Sequence, residues 1–215
     1  MRLVLVAGTA TDVGKTWVTA ALVQNLAGRG VAAVARKPVQ SYDPADDAAR
    51  DADVLGAAGG EPPEVVCPSH RWLAAAMAPP MATEVLGLPP VLLDDLVAEL
   101  AWPDVAPTVG FVESVGGVRS PLADDGDTVD LADRLAPDLV VLVADAGLGV
   151  VNSATLAAAA LTAHPTAVFL NRYDPTSDLH RRNGDWLRFR LGLGVDTTLD
   201  ALADRLLALP GRPDP

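Results

Sequence analysis

The chain has 215 residues, half of them hydrophobic, which is enough to form one sizeable core. Its 28 acidic residues against 16 basic ones give a formal net charge of −12. This balance disfavours binding to nucleic acid or to an anionic membrane surface, because both ligands attract a basic protein surface. The single cysteine, Cys67, excludes an internal disulfide and cannot form a metal site by itself.

The N-terminal run from Met1 to Gly8 is mostly apolar, but it is far shorter than the roughly 20 residues that a membrane span needs. No cleavage-site pattern follows it, so we expect a cytoplasmic protein without a membrane segment.

Short apolar runs alternate with segments of helical period along almost the whole chain, which is typical of βαβ units. The pattern predicts an α/β fold with a doubly wound, mainly parallel sheet, helices on both faces, and a single domain over residues 1–215. The predicted strands are Leu3–Ala7, Val31–Ala35, Val109–Val112, Leu139–Ala144 and Thr166–Leu170. The first predicted helix begins near Gly14. Four further helices are predicted over Asp51–Ala58, Val91–Leu100, Asn152–Ala163 and Thr198–Leu207.

Two segments depart from this alternation. Residues 66–90 contain five prolines and predict a long irregular excursion on the substrate side of the domain rather than a linker. Residues 209–215 are rich in proline and predict a frayed tail.

A glycine-rich segment from Gly8 to Thr16 follows the first strand and opens the first helix, which is the context of a phosphate-binding loop. In such a loop main-chain N–H groups curl around phosphate oxygens, Lys15 supplies a positive charge, and the Thr16 hydroxyl can bind Mg²⁺. Five residues separate Gly8 from Gly14, one more than in the common form of the motif. The longer loop therefore indicates a smaller group of families among the proteins with phosphate-binding loops.

The longer loop, with Thr-x-Val-Gly-Lys-Thr at residues 11–16, resembles that of the dethiobiotin synthetase family within the P-loop NTPase superfamily. Further segments follow in that family's order. They are the Lys-Pro loop at 36–41, an acidic helix start at 51–55, the glutamate and glycines at 113–117, a Gly-x-x-Asn turn at 149–152, and Asn171 after a strand. The resemblance covers most of the first ~170 residues, and the phosphate loop is its sharpest part.

The resemblance implies the roles of individual residues, and the residues themselves leave some alternatives open. The implied catalytic residues are Lys15, Lys37, Thr11 and Ser41; nucleotide would contact Asp12, Val13, Gly14, Lys15, Thr16, Glu113, Gly116 and Asn171. The implied metal ligands are Thr16, Asp53 and Glu113, and the organic substrate would contact Thr11, Lys37, Ser41, Pro79, Gly149, Val150 and Asn152. Taken alone, Asp53 is also explained as an acidic residue at a helix start, and Asn152 as a helix N-cap.

Three departures from the family pattern concern the pockets. Ser114-Val115 stands where the family has Gly-Ala, Tyr42 stands where a glycine usually follows the Lys-Pro loop, and no Gly-x-x-Pro turn is present near Gly192. The first departure concerns the close approach of the backbone to the phosphates. The second concerns the shape of the substrate pocket, and the third concerns the wall of the base pocket.

The resemblance implies an ATP- and Mg²⁺-dependent ligase that joins CO₂ to the diamine 7,8-diaminononanoate, closes a cyclic urea in biotin biosynthesis, and works as a homodimer with the active site at the interface. One alternative is a paralogous ligase that acts on another amine or carboxylate. Another is a P-loop switch or metallochaperone-type ATPase, which is disfavoured because partition-type ATPases carry a lysine where this chain has Ala10.

Overall fold

A computed structural model of the chain describes residues 1–210. Six parallel strands form the central sheet in the order β2-β5-β1-β6-β7-β8. They are β1 (Arg2–Gly8), β2 (Ala33–Arg36), β5 (Val109–Glu113), β6 (Leu139–Asp145), β7 (Thr166–Asn171) and β8 (Gly194–Asp196). Two short strands, β3 (Gln40–Ser41) and β4 (Trp72–Leu73), pair separately in parallel.

Helices cover both faces of the central sheet. They are α1 (Lys15–Gly28), α2 (Asp51–Gly59), α3 (Pro63–Val66), α4 (Pro79–Leu86), α5 (Leu93–Ala98), α6 (Thr128–Leu135), α7 (Val150–Ala160), α8 (Asp178–Asp185) and α9 (Leu199–Ala208). A 3₁₀ turn spans Ser69–Arg71, and a π-helical turn spans Trp186–Arg190.

The sheet divides the apolar interior into two cores because successive side chains of a strand point to opposite faces. Val4 and Val6 of β1 pack with α1, α2 and α9, whereas Leu3 and Leu5 pack with α5, α6 and α7. Both faces of the central strands are therefore buried, as the continuous apolar runs predict.

The predicted fold class and all five predicted strands are confirmed, with ends that differ by two residues or fewer. The predicted helices are also present, although α5 is shorter than predicted and α7 begins at Val150 rather than Asn152. Helices α3, α4, α6 and α8 and strands β3, β4 and β8 were not predicted. Among these, α6 carries a recognisable signal, since Asp127 and Asp130 form a capping box at its start.

The prediction of an irregular excursion over residues 66–90 is wrong in its middle and second half. Pro79 and Pro80 begin α4, where proline is well tolerated because the first helical N–H groups have no partner within the helix. Residues 72–73 form β4 instead of loop. The predicted frayed tail at 209–215 lies outside the described residues from position 211 onward.

No helix within residues 1–210 is long and apolar enough to cross a membrane.

Candidate nucleotide and phosphoryl-transfer site

The phosphate loop connects β1 to α1 at the carboxyl end of the sheet, where parallel α/β proteins bind ligands. Gly14 precedes α1 with a left-handed backbone (φ 92°), and a Cβ at this position would lie 2.2 Å from Asn171 Nδ2. Only glycine fits this turn without strain. In the described part of the chain no side chain caps the start of α1, so its first-turn N–H groups can receive an anion.

Lys15 is buried and directs its ammonium group into the phosphate loop. Its Nζ lies 2.9 Å from the carbonyl oxygen of Gly116 and 3.3 Å from that of Ala10. Burial lowers the pKa of Lys15 below its ordinary value, and the nearby charge of Lys37 lowers it further. No carboxylate within residues 1–210 forms an ion pair with Lys15. A bound phosphate would be the negatively charged partner of this ammonium.

Two carboxylates and a hydroxyl meet at the first turn of α1. Thr16 Oγ1 lies 2.8 Å from Asp51 Oδ1 and 2.8 Å from Glu113 Oε1. A hydroxyl carries one hydrogen, so Thr16 can donate to only one of the two carboxylates at a time. Glu113 is fully buried, and its Oε2 has no hydrogen-bond partner within the described chain.

Lys37 compensates part of this negative charge. Its buried ammonium donates to Glu113 Oε1 at 2.7 Å, to Asp51 Oδ2 at 2.7 Å and to the Ser114 carbonyl oxygen at 3.1 Å. Burial by itself would lower the pKa of Lys37, but the carboxylates of Glu113 and Asp51 outweigh burial and raise it. Lys37 in turn holds the pKa of Asp51 below its ordinary value against the effect of burial. Each of these two shifts favours the ion pair between Lys37 and Asp51.

The residues of this cluster fit a magnesium ion. Mg²⁺ prefers oxygen ligands and is commonly held by one or two carboxylates together with substrate phosphates. Thr16, Asp51 and Glu113 supply such oxygens beside the phosphate loop, and the unpartnered Oε2 of Glu113 leaves an acceptor free. No group of three or more His, Cys, Asp or Glu residues that could hold a metal occurs in residues 1–210, so nucleotide phosphates would have to complete the coordination.

Among the predicted metal ligands, Asp53 has no hydrogen bond to Thr16 within residues 1–210, and its role as a ligand stays a prediction. It binds Arg50 through both carboxylate oxygens, at 2.8 and 3.0 Å, while also accepting from the Arg50 backbone N–H. It caps α2, and the Arg50 hydrogen bonds lower its pKa. Asp51, at the first position of α2, is the aspartate of this helix start that contacts Thr16. The Gln40 side chain fixes this helix start by accepting from the Ala52 N–H at 2.9 Å.

The glycine loop after β5 keeps its close approach despite the Ser114-Val115 departure. Ser114 takes part through its backbone, since its N–H donates to the Val6 carbonyl and its own carbonyl accepts from Lys37. Gly116 has a left-handed backbone (φ 55°), and a Cβ there would lie 2.6 Å from Ser120 Oγ. A Cβ on Gly117 would lie 3.2 Å from the Thr9 carbonyl oxygen. Gly116 and Gly117 are therefore the residues that pack this loop against the phosphate loop.

The predicted substrate residues fall into three places. Ser41 ends β3, and its hydroxyl is buried without a partner in the described chain, while Pro79 is buried at the start of the neighbouring helix α4. Thr11 is exposed in the phosphate loop.

Gly149, Val150 and Asn152 lie at the start of α7, and no hydrogen bond in residues 1–210 joins them to Lys37 or Ser41. Asn152 is exposed in the first turn and is not the N-cap, which is Gly149.

Tyr42, at the second departure, belongs to an aromatic stack that the sequence did not indicate. The Arg50 guanidinium lies 3.9 Å from the centre of a Trp72 ring and 5.8 Å from that of Tyr42. The Tyr42 N–H donates to the Leu73 carbonyl oxygen, which continues the β3–β4 pairing. The stack therefore covers the edge of the pair of strands that carries Ser41.

Asn171 lies at the end of β7, beside the phosphate loop. Its Nδ2 donates to the Val13 carbonyl oxygen at 2.9 Å. The next residue, Arg172, joins the phosphate loop to β6: it donates to the Asp12 carbonyl oxygen at 3.0 Å and pairs with Asp145 at 2.7 Å. Sequence reasoning did not single out Arg172, whose partners are 27 and 160 residues away.

Comparisons with known proteins identify the family to which the chain is similar. Residues 2–185 match the family model described as an AAA domain. A protein of Anaeromyxobacter sp. (strain Fw109-5) named ATP-dependent dethiobiotin synthetase BioD is 40% identical, over 83% of this chain and 80% of its own length. A protein of the same name from Caulobacter sp. (strain K31) is 36% identical, over 97% of this chain and 95% of its own length.

Solved structures are similar in fold at low sequence identity. A putative plasmid partition protein from Borrelia burgdorferi B31, bound to AMPPNP, has a TM-score of 0.53 at 11% identity, over 97% of both chains. The signal recognition particle receptor FtsY from Elizabethkingia anophelis has a TM-score of 0.51 at 17% identity, over 95% of this chain and 65% of that chain.

Proposed function

The chain belongs to the dethiobiotin synthetase family of ATP-dependent ligases, and from this premise we propose that it joins CO₂ to 7,8-diaminononanoate and closes the cyclic urea of dethiobiotin. The observation that carries the proposal is the cluster beside the phosphate loop in which Asp51 and Glu113 each contact both Thr16 and Lys37. This arrangement supports the proposal because charged groups of both signs lie beside the phosphate loop.

The nucleotide phosphates would bind the uncapped N-terminus of α1 and the ammonium of Lys15. In exchange, Lys15 would release the carbonyl oxygens of Ala10 and Gly116. Thr16, Asp51 and Glu113 would hold Mg²⁺, which supplies neutralising charge to the β- and γ-phosphate oxygens when bound.

The reaction needs no covalent enzyme intermediate. One amine of the substrate adds to CO₂ and loses a proton, which gives a carbamate. A carbamate oxygen then attacks the γ-phosphorus, and the bond to ADP breaks. Finally the second amine attacks the carbonyl carbon of the mixed anhydride and loses a proton, which the departing phosphate can accept, and the ring closes.

Lys37 would stabilise the charge that develops during these steps. Its ammonium is held by carboxylates on β5 and α2, so it needs little reorganisation when phosphoryl oxygens gain charge. Ser41 would use its unpartnered hydroxyl on the diamine or its carbamate, and Thr11 would reach the same substrate from the phosphate loop. Pro79 would form an apolar wall.

We also propose that the protein is a homodimer in which Gly149, Val150 and Asn152 of α7 receive the substrate carboxylate in the partner's site. Two features support this assignment. The start of α7 has no side-chain cap within the described chain, and Asn152 is exposed. The Val150 N–H donates to the Gly147 carbonyl oxygen at 3.4 Å, and the N–H groups that follow it in the first turn are available to an anion.

A second candidate function keeps the chemistry and changes the organic substrate to another amine or carboxylate. The stack of Tyr42, Arg50 and Trp72 beside Ser41 favours it, since the family usually has a glycine at position 42. A bulky ring there narrows the space beside the substrate.

Phosphate release from Mg-ATP with bicarbonate, with and without 7,8-diaminononanoate, tests the proposal. We expect diamine-dependent release together with a cyclic urea detected by mass spectrometry. Lys37→Ala should abolish both while still binding ATP, and a thermal melt of the variant checks that it is folded. ATP binding without any response to the diamine would contradict the proposal and direct the search to other amines or to protein partners.

A further inference from the structure

A cavity of about 550 Å³ lies between the start of α1, the end of β7 and the turn from β8 to α9. This volume is within the range of small-molecule sites, about 300–1,000 Å³. Its lining includes Gly14, Trp17, Phe169, Asn171 and Leu199. The cavity borders the phosphate loop at Gly14, so a ligand anchored by its phosphates can extend into it.

Asn171 supplies hydrogen-bonding atoms at the edge of this cavity. Its amide donates one hydrogen to the Val13 carbonyl oxygen, and no other hydrogen bond of the amide is found in residues 1–210. A side-chain amide has two donors and one oxygen acceptor, so a donor and an acceptor remain. These groups can read the edge of a planar base but cannot hold its faces.

Trp17 is the aromatic side chain of α1 that borders the cavity. It is the third residue of the helix, and it is 57% exposed. The rings of Trp72, Trp102 and Trp186 each lie against an arginine, whereas no such contact is found for Trp17 in the described chain. Trp17 also belongs to neither of the two apolar cores. An indole left this exposed beside a cavity has a face free for a ligand.

We propose that Trp17 stacks on the nucleobase of the bound nucleotide and is the main apolar contact of the base. The inference rests on the proposed use of ATP and adds the residue that holds the base. Stacking on an aromatic ring contributes substantially to nucleotide binding because every base presents a π face. Asn171 then reads the edge of a base whose plane is fixed by Trp17.

A different position of the ring is the competing explanation. Trp17 also borders a groove of about 460 Å³ between α1 and α2, lined mainly by alanines and Val54. If the indole packed into that groove, it would stabilise the two helices and contribute nothing to base binding.

Binding assays that need no amine separate these explanations and stay independent of the ligase reaction. Affinities for Mg-ATP and for inorganic triphosphate, which has no base, are measured for the wild type, Trp17→Ala and Trp17→Phe. We expect Trp17→Ala to weaken ATP binding about fivefold or more, on the scale of a lost base stack. Triphosphate binding should not change, and Trp17→Phe should keep most of the ATP affinity.

Tryptophan fluorescence gives a second readout. ATP should quench the emission of the wild type and of Trp186→Phe, which lacks the other highly exposed indole, but not that of Trp17→Phe. Equal losses of ATP and triphosphate affinity in Trp17→Ala would overturn the proposal, because the ring would then act through the phosphate loop. Unchanged ATP affinity together with quenching that persists in Trp17→Phe would overturn it in favour of the groove.

Discussion

The carboxylates of Asp51 and Glu113 lie close together in the site because both contact Thr16 and Lys37. Asp51 and Glu113 both approach the Thr16 hydroxyl at 2.8 Å, and without a cation their charges would repel each other. Lys37 contacts both and offsets part of that repulsion. Glu113 Oε2 is left without a hydrogen-bond partner in the described chain, so it can still bind a further cation.

Asp51 and Asp53 give a matched pair of variants at this scale. Asp51→Asn removes a charge from the cluster, so we expect kcat to fall about 10²-fold, the usual size of one lost electrostatic contact in an active site. Asp53→Asn removes the Arg50 contacts and part of the α2 cap, so we expect a loss of about 0.5–2 kcal/mol of stability with kcat unchanged. Steady-state phosphate release and denaturant unfolding measure the two effects. A larger loss of kcat in Asp53→Asn than in Asp51→Asn would identify Asp53 as the metal ligand.

Helix geometry explains why the two aspartates differ. Residues two positions apart are separated by about 200° around a helix axis and therefore face opposite sides. The acidic pattern at the start of α2 shows that a carboxylate is favoured there, but it does not show which side of the helix faces Thr16.

Among structural elements, the loop after β5 carries the closest backbone approach in the site. Gly116 has a positive φ, accepts from Lys15 and leaves no space for a Cβ. Ser114 fits the position of the family's first glycine because its site contacts come from main-chain atoms, and Gly116 and Gly117 provide the close packing.

The variant Gly116→Ala tests whether this loop positions the phosphates. Gly30→Ala is its control, because Gly30 has a similar backbone conformation. Gly30 also has a positive φ, but a Cβ there meets nothing within 4 Å. Both variants should lose about 1 kcal/mol of stability from the left-handed backbone. Only Gly116→Ala should also raise the KM for ATP, because the new methyl displaces the loop that contacts Lys15. An unchanged KM in Gly116→Ala, measured from ATP-dependent phosphate release, would show that the loop does not position the phosphates.

At the scale of the whole molecule, the parallel sheet gathers the site from distant parts of the chain. Lys15 follows β1, Lys37 follows β2, Glu113 ends β5 and Asn171 ends β7, and parallel strands bring these carboxyl ends to one edge. The chain carries a net charge of −12, yet Lys15 and Lys37 lie together at this edge. Local charge, rather than net charge, therefore governs anion binding here.

Nucleotide binding should stabilise the whole domain, because the charged cluster exists only in the folded chain. At a hundredfold excess over Kd, Mg-ATP should add about 2.7 kcal/mol, which corresponds to a rise in Tm of about 5–10 °C for a chain of this size. A thermal unfolding series measures the shift. We expect it to be much smaller in Lys15→Met and in EDTA, and an undiminished shift in EDTA would contradict a metal bound by Thr16, Asp51 and Glu113.

The sequence by itself determined five of the six strands of the central sheet, the phosphate loop and the family. These features depend on local patterns, since five apolar runs specify buried parallel strands and residues 11–16 specify a loop whose chemistry is carried by neighbouring residues. Local patterns also explain the errors in the 66–90 segment. Its prolines were interpreted as helix breakers, but Pro79 and Pro80 begin α4.

Only the tertiary structure decided which aspartate faces Thr16, that Arg172 joins Asp12 to Asp145, and that Trp17 borders the cavity beside Asn171. Each of these results is a pairing or a side-chain direction between residues far apart in the chain. Such pairings are set by the order of the strands and by the rotation of each helix about its axis, and neither quantity is encoded in the spacing of neighbouring residues.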